Sequence, residues 1–148
     1  MTWTELFGAE LQTKDGLKPT EEVLAGKKYV GIYFSAHWCP PCKAFTPMLA
    51  DTYEQFIEDD HNDFALVFVS SDKQVSQFDE YYAEMPFFAL PYSDRAQKDV
   101  LAKKFEVKTI PTLAFLNEAG ELVTTEGRNL VQNARGQPTR VLEALAQQ

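Results

Sequence analysis

Two stretches of this chain are apolar on both faces apart from their terminal serines: Tyr29–Ser35 (YVGIYFS) and Phe64–Ser70 (FALVFVS). A strand with one wet face alternates polar and apolar side chains. A strand without that alternation must be covered on both sides, so these runs read as central strands of a buried sheet. Thr112–Leu116 reads as a third core strand.

The segments between them have helical spacing. Pro40–Asp59 reads as a helix whose buried stripe is Phe45, Met48, Leu49, Thr52, Tyr53 and Phe56, with Pro47 expected to kink it. Lys73–Glu84 reads as helix on Val75, Phe78, Tyr81 and Tyr82. Asp94–Phe105 reads as helix with Asp94 as N-cap and Val100, Leu101 and Phe105 buried. A last helix runs from Thr139 and buries Val141, Leu142 and Leu145. Shorter signals fill the rest. Glu10–Thr13 is a short strand closed by a turn at Lys14–Gly16, and Pro19–Glu22 opens a short helix stopped near Gly26. Pro86–Tyr92 is extended and expected at the sheet edge. Glu118–Glu121 is a hairpin turn that returns Leu122–Thr125 antiparallel, and Asn129–Asn133 forms a short turn of helix. The order predicts a three-layer α/β/α sandwich around a mixed sheet, with an N-terminal extension, as a single domain over residues 1–148.

The net charge of -8 and pI of about 4.7 argue against nucleic acid or an anionic membrane as partner. No apolar run has membrane-spanning length, and the N-terminal MTWTELFGAELQTKDG has neither a basic start nor an apolar stretch. The expected compartment is the reducing cytosol.

The only two cysteines stand in Trp38-Cys39-Pro40-Pro41-Cys42, where the first core strand hands over to a helix N-terminus. Free backbone N–H groups there stabilise a thiolate, so the pair reads as redox-active. Two other readings exist for such cysteines. One is a buried structural pair. The other is zinc, for which two thiolates supply half of a tetrahedral set and only His37 and His61 could complete it. His61 lies in a polar loop, Asp59–Asp63, away from the motif in sequence, and no metal is expected.

Trp-Cys-x-x-Cys after a central strand, Pro47 five residues after Cys42, and Thr109-Ile110-Pro111-Thr112 before a strand resemble the thioredoxin superfamily. The Phe34–Trp38 lead-in, Cys-Pro-Pro-Cys, Val69-Ser70-Ser71-Asp72, Met85-Pro86 and Pro91-Tyr92 look more specifically like tryparedoxins and nucleoredoxins. The similarity spans roughly Lys27 to Asn129.

The resemblance implies a thioredoxin-like fold and a thiol–disulfide oxidoreductase with no bound cofactor. Electrons would come from a low-molecular-weight dithiol or a flavoenzyme and pass to protein disulfides such as oxidised peroxidases. A nucleoredoxin-like binding module, with the same cysteines acting as a switch, is the other implied class. Cys39 is then the nucleophile, its pKa falling from about 8.5 toward the value of about 7 known for thioredoxin itself, and Cys42 resolves the mixed disulfide. Pro40 and Pro41 stiffen the centre and remove two N–H donors, which favours a reducing poise. Trp38 covers one side of the sulfurs, and a cis Pro111 brings Ile110 and Pro111 against Cys39 for substrate contact.

Two departures stand out. Many thioredoxins carry a buried aspartate six residues before the first cysteine; here that position is Tyr33, leaving Tyr33, water or Asp72 as candidate proton acceptors for Cys42. Where tryparedoxins carry Trp-Asp-Glu, this chain has Ser71-Asp72-Lys73, which puts recognition of a polyamine-bearing thiol in doubt. Arg128 is a candidate for the substrate surface, while His37 and Lys43 have solvated-loop and solvated-helix readings beside their electrostatic ones.

Overall fold

A computed structural model describes residues 2–148, so Met1 alone of the expected 1–148 domain lies outside the described residues. In chain order the elements are α1 (Trp3–Phe7), β1 (Glu10–Thr13), β2 (Gly16–Pro19), α2 (Thr20–Val23), β3 (Tyr29–Ser35), α3 (Pro40–Glu58) and β4 (Phe64–Ser70). They continue as α4 (Val75–Tyr82), β5 (Phe88–Ala89), α5 (Arg95–Lys104), β6 (Thr112–Asn117), β7 (Leu122–Thr124), α6 (Gly127–Ala134) and α7 (Pro138–Ala146).

The seven strands form one mixed sheet in the order β2-β1-β5-β4-β3-β6-β7. β3 pairs parallel with β4, Tyr33 opposite Phe68, and antiparallel with β6, Tyr33 opposite Leu113. Both runs recognised by their missing alternation are fully buried and lie side by side in the middle.

The pleat sorts their side chains between two cores. Tyr29, Tyr33, Phe64, Leu66 and Phe68 join α3, α4, α6 and α7 on one face, where Phe45, Leu49, Phe56, Tyr81, Val131 and Val141 are buried. Val30, Ile32, Phe34, Ala65, Val67 and Val69 face the other way, onto Leu6 and Phe7 of α1, Leu24 after α2, and Leu101 and Phe105 of the α5 region. The expected three-layer sandwich is thus observed. Gly31 lies on the first face in register with Tyr29 and Tyr33. A Cβ there would stand 2.5 Å from Leu66 Cδ2 and 2.9 Å from Phe115 Cε1, so any side chain would have to displace theirs.

Several local expectations differ from the structure. Pro86–Tyr92 does not border the sheet. Its strand β5 runs between β4 and β1, and the β1–β2 hairpin forms the outer edge beyond it. α1 and β2 went unforeseen. α4 is shorter than Lys73–Glu84, and α6 begins at Gly127, two residues before the expected Asn129. Met48, Val75 and Val100 are exposed rather than buried. α3 continues through Pro47 as one helix to Glu58. Asp94 caps α5 as expected, its side chain accepting the Gln97 amide at 3.3 Å.

Candidate active site

β3 ends at Ser35, and a turn over Ala36–Trp38 leads into α3 with Cys39 as its N-cap. The turn closes through the Cys39 amide on the Ala36 carbonyl at 3.3 Å. Cys39 and Cys42 form a disulfide with their Cα atoms 5.2 Å apart. Pro40 and Pro41 occupy the first two helical positions, so two of the usual free N–H groups of a helix start are missing. The first remaining donor is the Cys42 amide, 3.4 Å from the Cys39 sulfur.

Both cysteines are enclosed. Cys39 is 5% exposed and Cys42 0%. Ala36 and Ile110 pack against the disulfide, which accounts for the small exposure of Cys39. The Ile110–Pro111 peptide bond is cis, as the resemblance implied, and the Ile110 carbonyl lies 4.0 Å from the Cys39 sulfur. Pro111 is buried beside it. Trp38 is 51% exposed, its indole N–H reaches toward the Ser71 carbonyl at 3.4 Å, and the Lys73 ammonium lies 5.8 Å from its ring centre.

Beneath α3 the buried polar groups form a chain of hydroxyls. Tyr33 Oη lies 2.7 Å from Thr46 Oγ1 and donates toward the Cys42 carbonyl at 3.4 Å. Thr46 donates to that same carbonyl at 2.9 Å, from one helical turn later. Tyr81 Oη is 2.5 Å from Thr46 Oγ1 and 2.7 Å from Ser35 Oγ. The network ties β3, α3 and α4 together behind the resolving cysteine. Burial, followed by the neighbouring Tyr81 and against the help of Ser35 and Thr46, drives the Tyr33 hydroxyl far above its usual range. Tyr33 therefore remains neutral; as a proton acceptor it could serve only by passing on its own proton.

Asp72 sits in the loop after β4, against the turn that precedes Cys39. Its carboxylate, 3% exposed, accepts the His37 amide at 2.7 Å and the Ser70 hydroxyl at 2.7 Å. The His37 ring lies over Tyr81, centres 5.3 Å apart. Lys43 is exposed, in keeping with a solvated reading. Arg128 stands at the start of α6, its guanidinium 6.0 Å from the Phe45 ring centre and its Nε buried without a partner. It lines a cavity of about 510 Å³ together with Pro111, Thr112, Lys104 and Lys108. The structure thus brings Cys39, Cys42, Tyr33, Ile110 and Pro111 together, sets Trp38 on the rim, and leaves Arg128 in the cavity beyond Pro111.

Thr46, Tyr81 and Ser35 were not singled out from the sequence. Thr46 had a signal, since it follows Cys42 by four residues on one helix face. Tyr81 and Ser35 had none, being 46 residues apart. Among the described residues no group of three or more His, Cys, Asp or Glu is arranged to hold a metal ion, and no helix is long and apolar enough to cross a membrane.

A family model described as Thioredoxin-like matches residues 26–122. The chain is 51% identical over 118 residues to probable nucleoredoxin 1 of Arabidopsis thaliana, covering 80% of this chain and 20% of that protein. It is 39% identical over 134 residues to nucleoredoxin of Homo sapiens, covering 80% of this chain and 31% of that one. Among solved structures, tryparedoxin from Trypanosoma brucei superposes with a TM-score of 0.82 at 35% identity, covering 94% and 96% of the two chains. Tryparedoxin II complexed with glutathionylspermidine gives 0.78 at 38% identity, covering 84% and 85%. The chain belongs to the thioredoxin-like family, with nucleoredoxin and tryparedoxin relatives and a redox-active Cys-x-x-Cys pair. It spans only a fifth to a third of the length of those two nucleoredoxins, which are 20% and 31% covered.

Proposed function

We propose that this protein reduces protein disulfides through the Cys39–Cys42 dithiol. The Cys39 thiolate attacks one sulfur of the substrate disulfide, forming a mixed disulfide and releasing the other substrate sulfur as a thiolate that takes up a proton. The Cys42 thiolate then attacks Cys39, closes the intramolecular disulfide and releases the second substrate thiol. Two electrons have passed to the substrate, and a dithiol or flavoenzyme donor returns two to the protein by the reverse exchange.

The observation that carries this reading is the pair at the head of α3, with Cys42 closed off and Cys39 retaining what exposure there is, next to the Ile110 carbonyl. The complex of tryparedoxin II with glutathionylspermidine supports a low-molecular-weight thiol as donor. Oxidised peroxidases are the proposed acceptors, the cytosol the proposed compartment, and residues 1–148 the proposed domain. Trp38, Pro40, Pro41, Ile110, Pro111 and Arg128 form the proposed contact surface for the substrate.

The test is a disulfide-reduction assay under multiple turnover with two variants. Cys39→Ser abolishes reduction, and Cys42→Ser accumulates a covalent complex with substrate that a reducing agent releases. Full activity in Cys39→Ser refutes the assignment.

The share of the nucleoredoxins that this chain covers favours a second reading, a redox-sensitive binding module that works within a larger assembly. Slow turnover together with partner capture that depends on the state of the disulfide distinguishes it.

A further inference from the structure

We propose that Asp72 is a positioning residue of the redox centre: its buried carboxylate holds the turn that carries Trp38 and Cys39 by the His37 amide and opposes ionisation of Cys39. The inference deepens the oxidoreductase reading, yet its central measurement does not need turnover.

The loop after β4 is built as a bracket for this carboxylate. The Ser71 amide extends the β3–β4 ladder onto the Ser35 carbonyl at 2.9 Å, so the loop leaves the sheet alongside the active-site turn. The Asp72 amide donates to Ser70 Oγ at 2.9 Å, and that hydroxyl donates back to Oδ2 at 2.7 Å, which fixes the side chain on its own backbone. Tyr92 Oη donates to the Asp72 carbonyl at 2.8 Å. Arg95 holds the same loop from α5. Its Nη1 donates to the Ser70 carbonyl at 2.9 Å, its Nε to the Tyr92 carbonyl at 2.6 Å, and its guanidinium lies 3.9 Å from the Tyr92 ring centre.

Only Oδ1 then remains, and it takes the His37 amide at 2.7 Å. Without it, a backbone donor of the turn would have no partner, a state folded proteins avoid. The bracket joins two segments far apart in the chain: Tyr92 meets the loop after β4 at the Asp72 backbone carbonyl.

The carboxylate is almost sealed from solvent, and His37 is two residues from Cys39, so its charge stands on the order of 10 Å from the sulfur. Charged or titratable groups near this turn include His37 itself, Lys43 in α3, Lys73 beside Trp38, Arg95 against the Asp72 loop, and Arg128 on α6, with Lys104, Lys108, Glu106 and Glu126 along the cavity past Pro111. A buried negative charge at that range disfavours the thiolate.

The experiment compares wild type, Asp72→Asn and Asp72→Ala. The pH midpoint of Cys39 alkylation is measured on the reduced proteins, and hydrogen exchange of the His37 amide on the oxidised ones. Asn keeps an acceptor for His37 but removes the charge, so its alkylation midpoint falls by about one pH unit while its melting temperature and His37 protection stay near wild type. Ala removes both, so the midpoint falls and His37 protection is lost tenfold or more. An Asp72→Asn midpoint equal to wild type overturns the proposal, as does unchanged His37 exchange in a folded Asp72→Ala. If the alanine variant does not fold, the Asn midpoint alone decides. A wild type that fails to reduce disulfides sinks the proposed function and leaves these readouts intact.

Discussion

Replacing Tyr81 with Phe removes one oxygen from the hydroxyl chain behind Cys42 and leaves the ring. That ring keeps its edge contact with Phe68 at 5.4 Å and its contact with His37 at 5.3 Å, so the change isolates the hydroxyl. Thr46 retains Tyr33 and the Cys42 carbonyl as partners, but Ser35 loses Tyr81 Oη, its side-chain partner, and Ser35 is fully buried. An orphaned buried hydroxyl costs about 1–3 kcal/mol, so the expected loss is about 2 kcal/mol. In a chain of this length that lowers the melting temperature by about 4–8 °C. Ser35→Ala removes the orphan itself and should cost about 1 kcal/mol alone. The double variant should then be more stable than the sum of the singles by about 1 kcal/mol, the signature of a coupled pair. Urea unfolding of the oxidised protein in all four combinations measures this cycle. Losses that add to within about 0.3–0.5 kcal/mol refute the claim that the two hydroxyls depend on one another.

Two further outcomes follow from packing and burial. A Cβ on Gly127 would stand 2.5 Å from the Leu113 carbonyl oxygen, a backbone atom that cannot rotate aside, whereas one on Gly31 would meet the Leu66 and Phe115 side chains. Gly127→Ala should therefore destabilise by about 1–3 kcal/mol and by more than Gly31→Ala, as read from denaturant midpoints; the opposite ranking contradicts the packing argument. Burial raises the hydroxyls of Tyr33, Tyr53 and Tyr82 above their usual range, Tyr53 to about 12. Above about pH 10 the unfolded chain loses these protons while the folded chain keeps them, so stability is intact below that pH and declines above it. The slope reaches about 1.4 kcal/mol per pH unit for each tyrosine. Absorbance of the tyrosinate band should show Tyr33, Tyr53 and Tyr82 ionising only as the oxidised protein unfolds; full tyrosinate absorbance with a constant urea midpoint contradicts it.

The middle of the fold was legible because β3 and β4 are apolar without alternation, a pattern that depends on no partner's identity. The caps were legible where the signal is local, as at Asp94. Thr2 and Glu5 carried such a signal as well. A threonine followed three residues later by glutamate marks a helix start, and Thr2 Oγ1 does accept the Glu5 amide at 3.1 Å. β5 was legible as extended chain but not in its place, since it lies inside the sheet only because β4 and β1 flank it. The exposure of Met48, Val75 and Val100 shows the same limit, because spacing marks a stripe whose width is set by whatever packs there.

Within the site, the redox pair and its helix start were legible from neighbouring residues, because capping and thiolate stabilisation act over a single turn. What Asp72, Tyr33 and Thr46 do was decided by topology. The parallel pairing of β3 with β4 sets Ser35 beside Ser70, so the loop after β4 passes the turn before Cys39, and Asp72 takes the His37 amide. Residues 35 positions apart in the chain come within 2.7 Å only once the sheet has formed, and a hydrogen bond acts only at such short range.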